Sequence, residues 1–583
     1  MTRLVTLALA LAALLVGPTA HAQTAPAGNA HPQTQEVADD SGRLDKPFGS
    51  SSAPAAAKTA EEKQAFERAV DLNPLRDVAV FHNGRVKILD TLARETVFDL
   101  TGRSRYADPL PDGVQARHDP LFTLIDLVVS PDHYFDRPVI HVNYLPLRRA
   151  LVEAAFPGER DEQERWMRLT RVSPRMLLAF GDEIRDKHMS ETGFRDGLDR
   201  ADRALRLIAF GGSNFLLVAP ESRDLPWRHV SELPTDHPAR AAALRLGEAW
   251  RAADPSGVNA AAADLARALA AINPGTHPPS RRSLELAYNR MNAFEWGYWA
   301  YALSLLSLLI AFGTGRRWLA RTGSVLLVGA IGLHATGFVL RCIVAERFAI
   351  QNQFESMTGL SLFAAVVGAA IMLARRQWLF GAAAAATGFL VLITATQTDM
   401  PGRHIGREAA ILNTSVLLKY HVTTVLVSYG LITLGFVCSV FYLCTHYLGR
   451  LHAPATETGD AEVIAAAALN APEGTPIGRA RVLADLDTAQ MTVLQLAFWT
   501  LGVGILLGAW WADHSWGRWW AFDPKETWAL LTWIIYLIVI HLRFTTGRNR
   551  ALITAWLSVV GFLVMLWTYF GVNLLLPGLH AYA

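Results

Sequence analysis

The sequence predicts a mainly α-helical, polytopic membrane protein: a bundle of about eight spans preceded by a soluble, mostly helical domain. Three observations predict it. The composition changes abruptly from Trp296. Beyond that point come long apolar stretches, each near or above the roughly 17–25 residues that cross a hydrocarbon core. Arginines gather in alternate connections between those stretches, as they do on one side of a membrane.

The chain has 583 residues, 51% hydrophobic and 18% charged, with 17 Trp and 26 Phe. The formal net charge of +2 gives no basic field, so nucleic acid is not an expected partner. The cysteines are Cys342, Cys438 and Cys444, whose spacing forms neither a disulfide framework nor a Cys-x-x-Cys pair. Any redox chemistry must therefore come from a bound group.

Residues 1–22 read as a signal peptide: Arg3, the apolar run Leu4 to Val16, and Ala20-His21-Ala22 as a small-x-small cleavage site. An uncleaved anchor is the alternative, and either reading puts the next segment outside the cytoplasm. Residues 23–60, rich in Ala, Pro, Thr, Ser and Gln, are expected to be a flexible linker. Residues 61–290 are expected to form an extracytoplasmic soluble domain. Its charges are frequent, its apolar runs are short (Leu121 to Val129, Phe215 to Ala219), and Glu61 to Val70 and Ala241 to Trp250 have helical spacing.

Residues 291–583 form the transmembrane domain, with spans expected near 296–312, 322–340, 357–374, 378–396, 415–445, 491–510, 527–543 and 551–572. One set of connections carries Arg316, Arg317 and Arg321; Arg375 and Arg376; Arg450, Arg479 and Arg481; and Arg543, Arg548 and Arg550. The positive-inside tendency makes this side cytoplasmic. The soluble domain, the loops near 341–356, 397–414 and 511–526, and the C-terminus are then external, in agreement with the export signal. Arg341, Arg347, Arg403 and Arg407 weaken the bias without reversing it.

The most informative stretch is an external Trp-rich loop, 510–528, running Trp-Trp-Ala-Asp-His-Ser-Trp-Gly-Arg-Trp-Trp-Ala-Phe-Asp-Pro-Lys-Glu-Thr-Trp. Tryptophan gathers at membrane interfaces, so an aromatic belt is one reading. A wide apolar platform for a large flat ligand is the other. Physical reasoning alone leaves both open. Of the 18 histidines, those in the soluble domain, His82, His118, His133, His141 and His188, read as surface or capping residues. Histidines at membrane depth are costly and are functional candidates: His421, His541 and His334 lie in or beside spans. His580 follows the last span.

Residues Trp516 to Trp528 resemble the tryptophan-rich WWD signature of haem-handling proteins. Residues Ala529 to Trp533 and the tail from Gly571 to Ala583 resemble one branch, CcsA (also called ResC), of the system II cytochrome c maturation pathway. The resemblance covers about the last 270 residues and is looser upstream, where Asn352-Gln353-Phe354-Glu355-Ser356 is similar. One departure is Phe522, where the family often has Trp. The segment from Asn83 to Glu95 is similar to one in long variants that carry an extra domain before the membrane core.

The resemblance implies haem b (iron protoporphyrin IX) as cofactor, with His421 and His580 as axial ligands of an externally exposed haem and His541 at a second, membrane-embedded site. Trp516, Gly517, Trp519, Trp520, Phe522, Asp523 and Trp528 would form the haem-binding connection. His334 is a weak candidate partner for His541, a companion chain the alternative. Arg518 and Lys525 suit haem propionates, although ordinary solvated charges explain them equally well. No residue is assigned as an acid or base catalyst. The implied activity is holocytochrome c synthase of the haem-lyase type in a bacterial inner membrane. The implied partners are a ResB-like membrane protein, apocytochrome c and thiol-reducing proteins. Two other readings use the same residues: a haem exporter without ligation activity, and a quinol-linked di-haem electron-transfer protein.

Overall fold

The computed structural model describes residues 46–49, 59–109, 115–222, 224–398, 400–407, 416–451, 479–545, 547, 549–576 and 578. The expected signal peptide 1–22, most of the expected linker and His580 lie outside them. The chain divides into two compact units, one ending at Met291 and one beginning at Asn292.

The first unit is built of α1 (Ala60–Ala69), α2 (Asn73–Arg76), β1 (Ala79–His82), β2 (Arg85–Ile88), α3 (Leu89–Thr101), β3 (Ala107–Pro109), β4 (Gln115–Arg117), α4 (Pro120–Val129) and β5 (Ile140–His141). It continues with α5 (Leu145–Ala155), α6 (Arg160–Leu169), β6 (Arg171–Val172), α7 (Pro174–Lys187), α8 (Thr192–Ala209), α9 (Pro238–Arg251), α10 (Pro255–Ala270) and α11 (Pro279–Met291). Among the described residues the strands pair as antiparallel couples, β1 with β2, β3 with β4 and β5 with β6. Local chemistry sets many helix starts. A polar side chain followed by proline opens α4 (Asp119), α7 (Ser173), α9 (His237) and α10 (Asp254), and each side chain accepts a first-turn backbone N–H. Proline at the first helical position loses no intrahelical bond and arrives with helical φ.

Two apolar clusters fill this unit. One joins Phe66, Phe122, Phe215 and Trp250 from α1, α4, α9 and their surroundings; Phe48, within the expected linker stretch, is buried in it. The other joins Tyr134, Leu147, Trp166 and Leu198 from α5 to α8 and their surroundings. Between them lies a buried charged cluster. Lys63 contacts Asp126 at 2.9 Å and Tyr134 Oη at 2.8 Å, while Trp250 Nε1 donates to Asp126 at 2.9 Å. Lys63, His118 and His133 approach the same Asp108 oxygen at 3.5–3.6 Å. Burial opposes ionisation of Asp108, but His118, His133 and Lys63 outweigh it and hold the carboxyl well below its usual range. Burial likewise disfavours the charged His118 ring, yet Asp108 and Glu67 outweigh it and raise its pKa. The sequence reading of His118 as a surface or capping residue is therefore corrected: it is fully buried. Capping histidines do occur, at His229 and His237.

Among the described residues, eight helices are long and apolar enough to cross a membrane, and all lie in the second unit. They are α12 (Ala293–Thr314), α13 (Arg317–Ala345), α14 (Gln353–Arg375), α15 (Trp378–Gln397), α16 (Val416–Leu451), α17 (Arg479–Trp516), α18 (Pro524–Thr545) and α19 (Arg550–Leu566). A π-helical turn, Trp567–Gly571, and a short α20, Val572–Leu575, follow. The protein is a multi-pass membrane protein. Helices α12 to α15 pack mainly on one another, as do α16 to α19, and α14 and α15 join the groups through α16. At one end of this bundle Gln377 meets Asp485 and Arg543 pairs with Asp487. The connections after α13 and α15, the start of α16 and the end of α17 gather at the other.

Candidate functional site

Helix α16 lies against α17 because α17 carries Gly504 and Gly508 one turn apart. A Cβ at Gly504 would meet Val425 Cγ2 at 2.8 Å, and one at Gly508 would meet His421 Cε1 at 2.5 Å. Small residues at this spacing let membrane helices approach closely. The His421 ring thus rests on bare backbone, and its Nδ1 lies 2.7 Å from the Gly504 carbonyl oxygen. A carbonyl only accepts, so Nδ1 carries the proton and Nε2 the lone pair, the tautomer suited to a metal ligand through Nε2.

His421 lines a cavity of about 230 Å³. Its apolar wall includes Phe348, Ile350, Leu418, Val422 and Val425. Polar groups enter from five elements: Gln353 and Ser356 of α14, Lys419 of α16, Trp511 of α17, Lys525 of α18 and Asn573 of α20. Tyr429 and Tyr569 meet edge to face at 6.0 Å in the same lining. The π-helical turn carries Tyr569, whose hydroxyl contacts Ser356 Oγ. Such turns are rare and concentrate at functional positions.

Buried ion pairs hold the cavity wall. Arg341 is fully buried and contacts Glu355 Oε1 at 3.1 Å, the Gly402 carbonyl at 2.7 Å and the Arg403 carbonyl at 2.9 Å. Arg347 meets Glu355 Oε2 at 2.6 Å. Asn352 caps α14 by accepting the Glu355 N–H at 2.9 Å. Gly402, at φ +84°, lies so close to Asn352 that a Cβ would be 2.1 Å from its Cγ. The arginines that weakened the charge bias thus have a structural use: Arg341 and Arg347 fix the connections after α13 and α15 against the start of α14.

The tryptophan-rich stretch is less of a loop than the sequence suggested. Helix α17 runs through Trp510 and Trp511 to Trp516, and α18 begins at Pro524. Nothing before Gly517 breaks the helical pattern, so the irregular connection is confined to 517–523. Gly517 and Phe522 bend it with positive φ, 69° and 55°. Trp519 and Phe522 are 56% and 81% exposed, a presented aromatic surface. Trp516 packs on Trp511 at 4.9 Å and Trp528 on Trp567 at 5.8 Å. Trp520 lies 6.4 Å from Phe522. Asp523 is buried at the start of α18, where its carboxylate accepts the Lys525 N–H at 3.2 Å. Glu526 accepts the Asp523 and Ala521 N–H groups in return.

The histidines separate. His421 lines the cavity beside Trp511. His514, on the last turn of α17, is exposed, with Nδ1 3.0 Å from the Trp510 carbonyl. His541 is exposed on α18, sixteen residues beyond Lys525, about 24 Å along a helix. Its Nδ1 lies 2.8 Å from the Leu537 carbonyl, which again leaves the Nε2 lone pair outward. His334 differs. It is fully buried, its Nε2 lies 2.9 Å from the Thr358 carbonyl, and Tyr301 Oη is 3.3 Å from its Nδ1. Both nitrogens are committed, and the tautomer is the wrong one for an Nε2 ligand. Its helix packs on α12, α14 and α15, whereas that of His541 packs on α17 and α19. The structure does not bring His334 and His541 together. Trp511 and Lys419 were not read as site residues. The signal was present for Lys419, a cation two residues from His421 at the start of an apolar span.

Eight spanning helices, with a histidine-bearing cavity beside an aromatic connection at one end, define the class of protein. The profile of the family described as cytochrome C assembly protein matches residues 297–580. The chain is 27% identical over 533 residues to Protein NrfI of Wolinella succinogenes, an alignment covering 86% of this chain and 53% of that protein. It therefore spans about half the length of NrfI. It is 32% identical over 298 residues to cytochrome c biogenesis protein CcsA of Parasynechococcus marenigrum, and 29% over 317 residues to that of Gloeobacter violaceus. Each of these alignments covers 49% of this chain, and they cover 94% and 90% of the respective relatives. The chain belongs to the CcsA family of cytochrome c biogenesis proteins, with an extra N-terminal region.

Proposed function

We propose that the protein delivers haem b to the outer face of a bacterial inner membrane and attaches it to the Cys-x-x-Cys-His segments of apocytochromes c. The observation that carries this reading is the His421 imidazole, held by the Gly504 carbonyl with its lone pair on Nε2, lining an apolar cavity next to the aromatic connection. Haem suits these residues: a neutral imidazole for iron, an apolar wall for the macrocycle, and exposed Trp519 and Phe522 to cover an edge.

In this reading His421 and His580 are the two axial ligands. Trp516, Trp519, Trp520, Phe522 and Trp528 shape the platform, with Gly517 turning the chain between them. Asp523 acts from behind, by starting α18. His541 belongs to an earlier, deeper site and takes its second ligand from a ResB-like companion. The N-terminal unit and the aromatic connection face outward. Haem is the substrate, and the chain's residues bind and orient it while an apocytochrome histidine replaces one axial ligand. Each apocytochrome thiol adds its S–H across a haem vinyl group, with no net oxidation. Thiol-reducing proteins keep those cysteines reduced. Co-expression with an apocytochrome tests the assignment. Covalent cytochrome that depends on His421 is the expected result; haem released without attachment would make the protein an exporter.

A further inference from the structure

The cavity beside His421 is rich in donors, and the proposed function leaves most of them without a role. Lys525 projects into it from the first turn of α18, and Lys419 stands at its rim two residues before His421. Among the described residues, neither ammonium group makes a salt bridge or hydrogen bond. The acid whose charge acts on Lys525 is Asp523, which is engaged at the start of α18. Two further donors, Trp511 Nε1 and Gln353 Nε2, are buried without a hydrogen-bond partner in the same lining. A buried donor left unmade costs about 1–3 kcal/mol. A cavity with two ammonium groups, an indole N–H and an amide N–H, set in apolar walls, matches an amphipathic ligand with carboxylate groups at one end.

We infer that this cavity receives the two propionates of haem, with Lys419 and Lys525 as their carboxylate partners and Trp511 Nε1 and Gln353 Nε2 as supporting donors. The inference rests on the reading of His421 as an iron ligand. It adds an orientation. Propionates and vinyl groups occupy opposite edges of the porphyrin, so holding the propionates within the bundle end directs the vinyl edge away from it, toward an arriving apocytochrome. Lys419 and Lys525 are thus positioning residues, which set which edge is presented. Arg518, exposed and outside the cavity lining, is not assigned to the propionates.

The test compares iron protoporphyrin IX with its dimethyl ester, in which both carboxylates are neutral, by absorption titration of the full-length protein in detergent. The wild type is expected to bind the diacid about tenfold or more tightly than the ester. Lys419→Gln/Lys525→Gln is expected to bind both equally at the ester's affinity, with the axial-ligand spectrum intact. Lys419→Arg/Lys525→Arg is expected to restore the preference. Equal binding of diacid and ester by the wild type would overturn the inference while leaving the His421 assignment standing, and needs no variant to fold. So would a preference that survives in the glutamine double variant. A lysine-dependent phospholipid co-purifying with the protein and blocking neither porphyrin would assign the cavity to a lipid anion and also overturn it. Failure of the wild type to bind either porphyrin would bring down the proposed function itself.

Discussion

Gly508→Ala reaches His421 without replacing a ligating residue. The added methyl would stand 2.5 Å from Cε1, 2.8 Å from Nδ1 and 3.2 Å from Nε2. Carbon contacts settle at about 3.5–4.0 Å, so the imidazole must withdraw by about 1 Å. That movement lengthens the 2.7 Å contact from Nδ1 to the Gly504 carbonyl, which fixes the tautomer. Ligating groups must be held within about 0.5 Å of their working geometry, and loss of such support typically weakens metal binding about 10–100-fold. Helix propensity acts in the opposite direction, since alanine favours a helix interior over glycine by about 1 kcal/mol. A loss of binding therefore could not be blamed on a weakened α17. The assay is haem titration followed by Soret absorption on the full-length protein, with Gly329→Ala as control, because nothing lies within 4 Å of a Cβ there. Wild-type affinity and spectrum in Gly508→Ala would refute the reasoning.

Arg341→Met leaves Glu355 buried without its fully buried partner and should cost about 3–5 kcal/mol, seen as lower thermal stability and lower yield; Arg341→Met/Glu355→Met should recover part of that loss. In the N-terminal unit, Lys63→Met removes the cation shared by Asp108 and Asp126 and should destabilise that unit by a similar amount, about 3–5 kcal/mol. An unchanged transition in thermal unfolding would contradict the buried cluster. The same unit should have a pH window. Asp108 and Asp126 titrate below their ordinary range, so their contribution is present above about pH 4 and is lost as pH falls through the lowered values. His118 titrates above its ordinary value, so its contribution is complete below about pH 6.5 and is lost as pH rises through the raised one. Thermal scans of the N-terminal transition should show greatest stability between about pH 4 and 6.5, and His118→Gln should flatten the alkaline decline.

The spans were legible because burial in lipid demands a property that sequence carries directly: unbroken apolar length. Arg316, Arg375 and Arg543 recur in alternate connections, the pattern from which an orientation is expected. The aromatic connection was legible as a cluster but not in its shape, because tryptophan suits a helix as well as a loop and only Gly517 and Pro524 mark the true ends. Trp511 was therefore read as part of a loop, when it is a buried wall of the cavity. The charged cluster of Lys63, Asp108, His118 and Asp126 was illegible, since its members lie on separate elements with no shared period. His334 shows a further limit: its place in a span was visible, but the proton on Nε2 is set by the Thr358 carbonyl of another helix. Gly504 and Gly508 were not read as a motif, and their consequence, a seat for the His421 ring, needed the packing of α16.

The most direct test of the central claim is the absorption spectrum of the detergent-purified wild type beside His421→Ala and His580→Ala, each with the companion membrane protein present. A bis-imidazole haem spectrum in the wild type, lost or altered in both variants, is the predicted result. A well-folded wild type without haem, or variants whose spectra match it, would contradict the claim and return the aromatic connection to a membrane belt.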